Sequence, residues 1–192
     1  MKFSYEIVIV LGLAACSNPT KEAPAGTYYD LKSYIEQQIS QLQKQQPTVV
    51  KQSGFGNDKE QQTTKTIDWS RELDLFLQAD INKQAYQSSY QKNRPDSLTY
   101  EYSLKPGENL PVKQLRVELD SATRQPRLVK ATLRTRNSLY ESERNVWLES
   151  DKGTIKHYHI EGFQQLAWLD AKRFLIDGEV TQFSEKTLIW KK

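Results

Sequence analysis

Between Asp30 and Gln46 the apolar residues Leu31, Tyr34, Ile35, Ile39 and Leu42 recur every three or four positions. That period places them on one stripe and predicts an amphipathic helix, stopped by Pro47, which cannot continue it. Thr27, followed three residues later by Asp30, predicts a start of the capping-box kind. Six glutamines between Gln37 and Gln46 surround the stripe and read as a solvated helix face. Thr48-Val49-Val50-Lys51 and Gln61 to Ile67 flank a turn-like Gly54-Phe55-Gly56-Asn57-Asp58 and are compatible with a small hairpin. Asp68 is a good N-cap. Trp69, Leu73, Phe76 and Leu77 then predict a second helix ending near Asp80 to Asn82, its apolar stripe buried against the rest of the fold, with Ile67 placed to staple its start. Tyr86 and Tyr90, four apart, predict one more helical turn before Arg94-Pro95-Asp96.

From Leu98 the period changes to two. Leu98 to Leu104, the run around Leu115, Val117 and Leu119, the run around Val129, Ala131 and Leu133, Tyr140 to Leu148, Thr154 to Gly162, and Lys172 to Val180 make six candidate strands, each followed by a turn signal. The links are too short for helical crossovers, so consecutive antiparallel pairing in a meander is expected. The fold class read from this pattern is α+β: two N-terminal amphipathic helices packed on a curled six-stranded antiparallel meander. Gly162 and Gly178 each interrupt a strand and suggest bulges or bends that curl the last two strands. Asn137-Ser138 reads as a two-residue hairpin turn, which sets Arg134 across from Glu141 and Val129 across from Val146. Asp151-Lys152-Gly153 reads as a three-residue loop, which sets Val146 across from Tyr158 and Trp147 across from His157. Val129, Ala131, Leu133, Val146, Leu148, Tyr158 and Ile160 then share the core face. Leu128, Trp147 and His157 share the other.

Length and charge narrow the class. A chain of 192 residues suits one domain. With 27 basic and 24 acidic side chains the net charge is +3, which excludes a strongly basic nucleic-acid binder. The single cysteine excludes a disulfide framework and a multi-cysteine metal site.

That cysteine carries the sharpest motif. Lys2 precedes an apolar run from Ile7 to Ala15, and as a helix those nine residues would cover only about 14 Å at ~1.5 Å per residue, half a bilayer core. The layout is that of a secretory signal peptide. Leu13-Ala14-Ala15-Cys16 resembles the lipobox of bacterial lipoproteins. The resemblance implies cleavage before Cys16, diacylglyceryl attachment to its sulfur and acylation, palmitate included, of the new amino terminus. It implies a bacterial cell envelope, with Ser17 in the place where Asp favours inner-membrane retention, hence the outer membrane. The expected organisation is residues 1–15 as lipoprotein signal peptide, 16–27 as lipidated cysteine and flexible tether, 28–183 as one α+β domain, and 184–192 as a C-terminal tail. In layout alone, helices first and a curled sheet after, the domain is similar to periplasmic carrier and roll folds, including the lipoprotein-carrier half-barrel.

Candidate chemistry is sparse. The hydrolase nucleophile elbow, the phosphate loop and the zinc-protease helix are absent from the sequence. Asp68 and Glu72 are explained by the first turn of a helix, whose dipole favours anions. Asp80 falls on the apolar stripe of the second helix and is expected to bond backbone groups of the turn at Asn82 or to pair with an arginine of the sheet. His157 and His159, the chain's two histidines, form a His-x-His pair that can share a metal, with only Glu161 to join them, and the surface reading is preferred. Lys113, Arg116, Arg124, Arg127, Lys130, Arg134, Arg136 and Arg144 interleave with glutamates, as cross-strand charge pairs do. An anion-binding patch is the other reading. The expected function is a membrane-anchored, non-enzymatic binding or scaffolding module of the envelope, without cofactor or metal and without nucleic acid. Its partners would be membrane lipid through acylated Cys16 and an envelope protein, with Leu128, Trp147 and His157 as the contact surface unless a helix or the Leu188-Ile189-Trp190 tail covers it. The alternative is a carrier of a lipid or another small hydrophobic ligand in a curled-sheet pocket.

One prediction follows from the motif. Cys16→Ser should abolish acylation and block processing by the lipoprotein route; incorporation of a labelled fatty acid is the measurement, and label retained in the Ser variant would disprove the assignment.

Overall fold

The computed structural model describes residues 27–181; the expected signal peptide, Cys16, nearly all of the expected tether and the Leu188-Ile189-Trp190 segment lie outside them. The first helix, α1 (Leu31–Gln45), buries Leu31, Tyr34, Ile35, Ile39 and Leu42, the stripe expected from their spacing. Asp30 rather than Thr27 caps it, its carboxylate accepting from Ser33 N at 3.0 Å. Gln46 closes it in the left-handed region ahead of Pro47. The glutamine-rich face is not all solvated. Gln38 is buried, donating to Gly153 O at 2.7 Å and accepting from Ile155 N at 3.1 Å. A buried amide must satisfy both ends, and this one does so by tying the helix to a hairpin turn more than a hundred residues away.

The expectation of two helices on a six-stranded meander is overturned. The sheet has nine antiparallel strands: β1 (Thr48–Phe55), β2 (Asp58–Thr64), β3 (Tyr90–Asn93), β4 (Thr99–Leu104), β5 (Val112–Leu119), β6 (Pro126–Arg136), β7 (Tyr140–Asp151), β8 (Thr154–Leu166) and β9 (Lys172–Thr181). Their order is β2-β1-β9-β8-β7-β6-β5-β4-β3. The six alternating runs lie in β4 to β9. The pattern misses β1 and β2 as sheet members because they bury a single side chain, Val49, and so lack an alternating apolar signature. They join the sheet through backbone pairing of β1 with β9, as Val49 with Val180. Tyr90, expected in a helical turn, opens β3 and hydrogen-bonds Val112 O; only a short 3-10 turn, Gln84–Tyr86, precedes it.

The second helix is also shorter than its stripe. It divides at Leu73 into α2 (Trp69–Glu72) and α3 (Asp74–Gln78). Isolated helices this short are not stable, so packing sets their shape. Trp69, Leu73 and Phe76 are buried, and the chain continues inward through Ala79 and Ile81. Asp68 caps α2 as expected. Glu72 is not simply a first-turn charge: it accepts from Tyr158 OH at 2.9 Å and pairs with Lys51 at 2.7 Å, clamping α2 onto β8 and β1.

The residues assigned to the core face are all buried, yet the expected register fails. Arg134 lies across from Glu143, Val129 across from Leu148, Val146 across from Ile160, and Trp147 across from His159. In the first hairpin the turn is centred one residue later, on Ser138-Leu139, because the Asn137 side chain accepts from Leu139 N and Tyr140 N and makes Asn137 the first residue of the turn. That moves every pairing by two positions and leaves the faces unchanged. In the second hairpin, Lys152-Gly153 with positive φ at both positions forms a two-residue turn, as such hairpins prefer. This alone would reverse the faces of β8, but an irregularity opposite Glu149 and Ser150 adds one residue and restores them.

Gly162 and Gly178 are not bulges. Each sits in regular pairing, opposite Arg144 and Tyr158 respectively. They are needed for close approach. A Cβ on Gly178 would overlap the Tyr158 ring, and one on Gly162 would overlap Glu143 O. Tyr158 cannot easily yield, since its hydroxyl is held by Glu72 and its ring packs edge-on to Trp69. Gly178→Ala should therefore lower the urea unfolding free energy by about 1–3 kcal/mol, the usual range for overpacking. A midpoint unchanged from wild type would show that the ring moves freely.

Candidate functional site

Strand alternation sends the odd-numbered residues of β7, of β8 from His157 onward, and of β9 to the face away from the helices. Register then aligns them into rows. One row runs Arg116, Lys130, Trp147, His159, Asp177 across five strands; the neighbouring row runs Glu118, Leu128, Glu149, His157, Glu179. At the meeting of β7, β8 and β9 this produces a compact cluster. His159 Nδ1 donates to Asp177 Oδ2 at 2.7 Å and His157 Nε2 donates to Asp177 Oδ1 at 3.0 Å. One carboxylate thus bridges both imidazoles. Trp147 stacks on His159, 5.2 Å between centroids and 10° between planes, and meets His157 edge-on at 4.6 Å.

Sequence reasoning placed Trp147 and His157 on one surface, and the structure joins them, although it is His159 that lies directly across from Trp147. Leu128 is half-buried one row over, between Glu118 and Glu149. Asp177 was missed as a site residue. Its strand parity was legible, but its role depends on which residue of β8 it faces, and that register was not. Burial works to raise the Asp177 carboxyl, but the hydrogen bonds from His159 and His157, with their charges, outweigh it and hold the group below the usual carboxylate range.

A trough of about 460 Å³ adjoins this cluster on the same face, with Trp147 at one end and Glu101, Arg116, Lys130, Thr132 and Asn145 along it. Its walls are internally paired. Arg116 bridges Glu101 and Glu118, Arg127 meets Glu118 at 2.6 Å, and Thr132 donates to Asn145 at 2.9 Å. Arg134 reaches Glu141 at 2.6 Å diagonally rather than directly across, with Glu143 at 3.9 Å. The interleaved charges are therefore largely a cross-strand ladder, and Arg144 turns to the other face, against Ser142 and Tyr140. Among the described residues no three histidine, cysteine or carboxylate side chains converge as metal ligands. Asp80 is buried at the end of α3, with one oxygen unpartnered. Burial raises its carboxyl, while hydrogen bonds from the Asn82 and Lys32 backbone act the other way. It serves the turn, as the sequence indicated.

A polar trough with an oriented aromatic wall can bind, and a carboxylate holding two imidazoles fixes ring orientation, as in hydrolytic triads; the second nitrogen of each ring points away from Asp177, with His159 Nε2 3.6 Å from Glu161. No family model, curated protein or solved structure matches the chain.

The lowered Asp177 carboxyl has a pH signature. A depressed carboxylate contributes stability that is complete above its unfolded value, about 3.9, and lost as pH falls through its folded value. Urea midpoints measured from neutral pH down to about pH 3 should fall for wild type, whereas Asp177→Asn should start lower and fall less. Parallel curves would show that the histidines do not stabilise the charged carboxyl.

Proposed function

We propose that this protein is a lipid-anchored protein of the bacterial cell envelope that works by binding, not catalysis, and that an envelope protein docks on its outer sheet face around Trp147. The observation that carries the reading is the trough ending on Trp147, whose ring is held by two histidines that Asp177 in turn fixes. Aromatic side chains locked before contact lose little entropy on binding and are frequent binding anchors. The ladder of paired charges beside it supplies a polar rim. The lipobox resemblance supplies the anchor and the compartment.

In vivo photocrosslinking tests this. A crosslinking residue at Leu128 should trap one defined envelope protein, and Trp147→Ala should reduce the yield several-fold without shifting the denaturation midpoint. The same yield from Glu36, on the exposed side of α1, or no response to Trp147→Ala, would refute it.

The carrier reading retains one supporting observation. On the helix-bearing face, beyond the part the helices cover, Phe55, Phe174 and Ile176 line an open pocket of about 470 Å³. Beneath the helices themselves the core is filled by side chains.

A further inference from the structure

The described large apolar side chains that are exposed gather at one end of the sheet. Leu139 is 59% exposed in the β6–β7 turn; Leu166, Trp168 and Leu169 are 54%, 92% and 57% exposed at the β8–β9 connection; and Phe55 is 65% exposed at the end of β1. Register puts these tips together: Tyr140 pairs with Leu166, Ala167 N donates to Leu139 O at 2.8 Å, and Phe55 pairs with Phe174 just beyond the connection. The connection is an ordered turn. Leu169 N donates to Leu166 O at 3.1 Å and Gln165 Nε2 to Leu169 O at 3.1 Å, and Trp168 sits at its apex with φ +68°. Bulky residues rarely adopt that conformation. The turn thus holds an indole outward at a backbone cost.

We propose that this end of the sheet inserts into the surface of the membrane to which the chain is anchored, with Trp168 and its leucines in the headgroup boundary. The proposal rests on the anchored reading for proximity. Residues 17–27 span at most about 40 Å when fully extended, at ~3.3–3.6 Å per residue, so the domain stays within reach of the bilayer. A contact too weak to hold a free protein then acts at high effective concentration. The chemistry fits a lipid interface, where tryptophan is enriched and leucine buries. Arg136, Lys172 and Arg173 flank the tips, against Asp170, Glu141 (itself paired with Arg136) and, beside Phe55, Asp58 and Glu60, so the apolar side chains rather than net charge carry the contact.

Brominated phospholipids supply the test, because they quench only indoles that enter the acyl boundary. The full chain, purified from membranes, is reconstituted in vesicles of phosphatidylethanolamine and phosphatidylglycerol with brominated acyl chains. Tryptophan emission should be quenched, and Trp168→Ser should reduce the quenched fraction several-fold, while Trp147→Phe should not. Because Trp168 is exposed, the Ser variant should unfold at the wild-type midpoint. Absence of quenching, or quenching unchanged in Trp168→Ser, overturns the proposal. So does a wild-type dimer that Trp168→Ser dissociates in vesicle-free buffer, which would make the tip an interface between copies. Mass analysis of Cys16 decides the anchor separately, so failure of the tip and failure of the anchor are distinguishable.

Discussion

The strands β4 to β9 have to present most of their apolar side chains to the face that the helices cover. Side chains alternate along a strand with period two, so a change of pairing by one residue reverses the whole strand and a change by two reverses nothing. The second hairpin shows the constraint at work. Its two-residue turn at Lys152-Gly153 would send Tyr158 and Ile160 to solvent, and a single extra residue early in β8 returns them to the core. Through that correction Tyr158 finds Glu72, and His157 and His159 fall on the opposite face beside Trp147, while Ile155, ahead of it, keeps the turn's register and meets Gln38. Helix docking and the outer-face cluster thus rest on the same one-residue adjustment.

This constraint explains what could be read from the chain. Face membership of Val129, Ala131, Leu133, Val146, Leu148, Tyr158 and Ile160 was legible because parity survives an error of two. Which residue faces which was not, since it hung on whether Asn137 sits inside the turn or opens it. The Asn137 side chain decides that by bonding the backbone of Leu139 and Tyr140. The strands β1 and β2 were invisible as part of the main sheet for a different reason: their pairing is made by backbone groups, which every residue carries, and their side chains are almost all polar. Likewise the spacing of Trp69, Leu73 and Phe76 revealed a buried stripe, but not that the helix breaks between them.

The two faces divide the labour. On one, apolar side chains and a few buried polar ties, Gln38 and Glu72 above all, fasten the helices. On the other, the hydrogen-bonded histidines and the charge ladder make a surface that is polar yet ordered. Gly178 links them: by leaving room for Tyr158 on the helix face it keeps β9 in regular pairing, which delivers Asp177 to His159 on the far face. The candidate contact surface is thereby held from beneath by core packing.

The pairing of β1 with β9 has a consequence for how the molecule is made. Thr48 and Thr181, joined at the end of that ladder, are 133 positions apart, and β1 has no other neighbour than its own hairpin partner until β9 exists. Contacts of such separation carry a large loop-closure entropy and slow folding. During synthesis, the hairpin of β1 and β2 therefore waits with one edge unpaired while seven further strands emerge. Its polar, charged and glutamine-rich side chains suit that wait, because a hydrophobic edge left open for so long would pair with other chains.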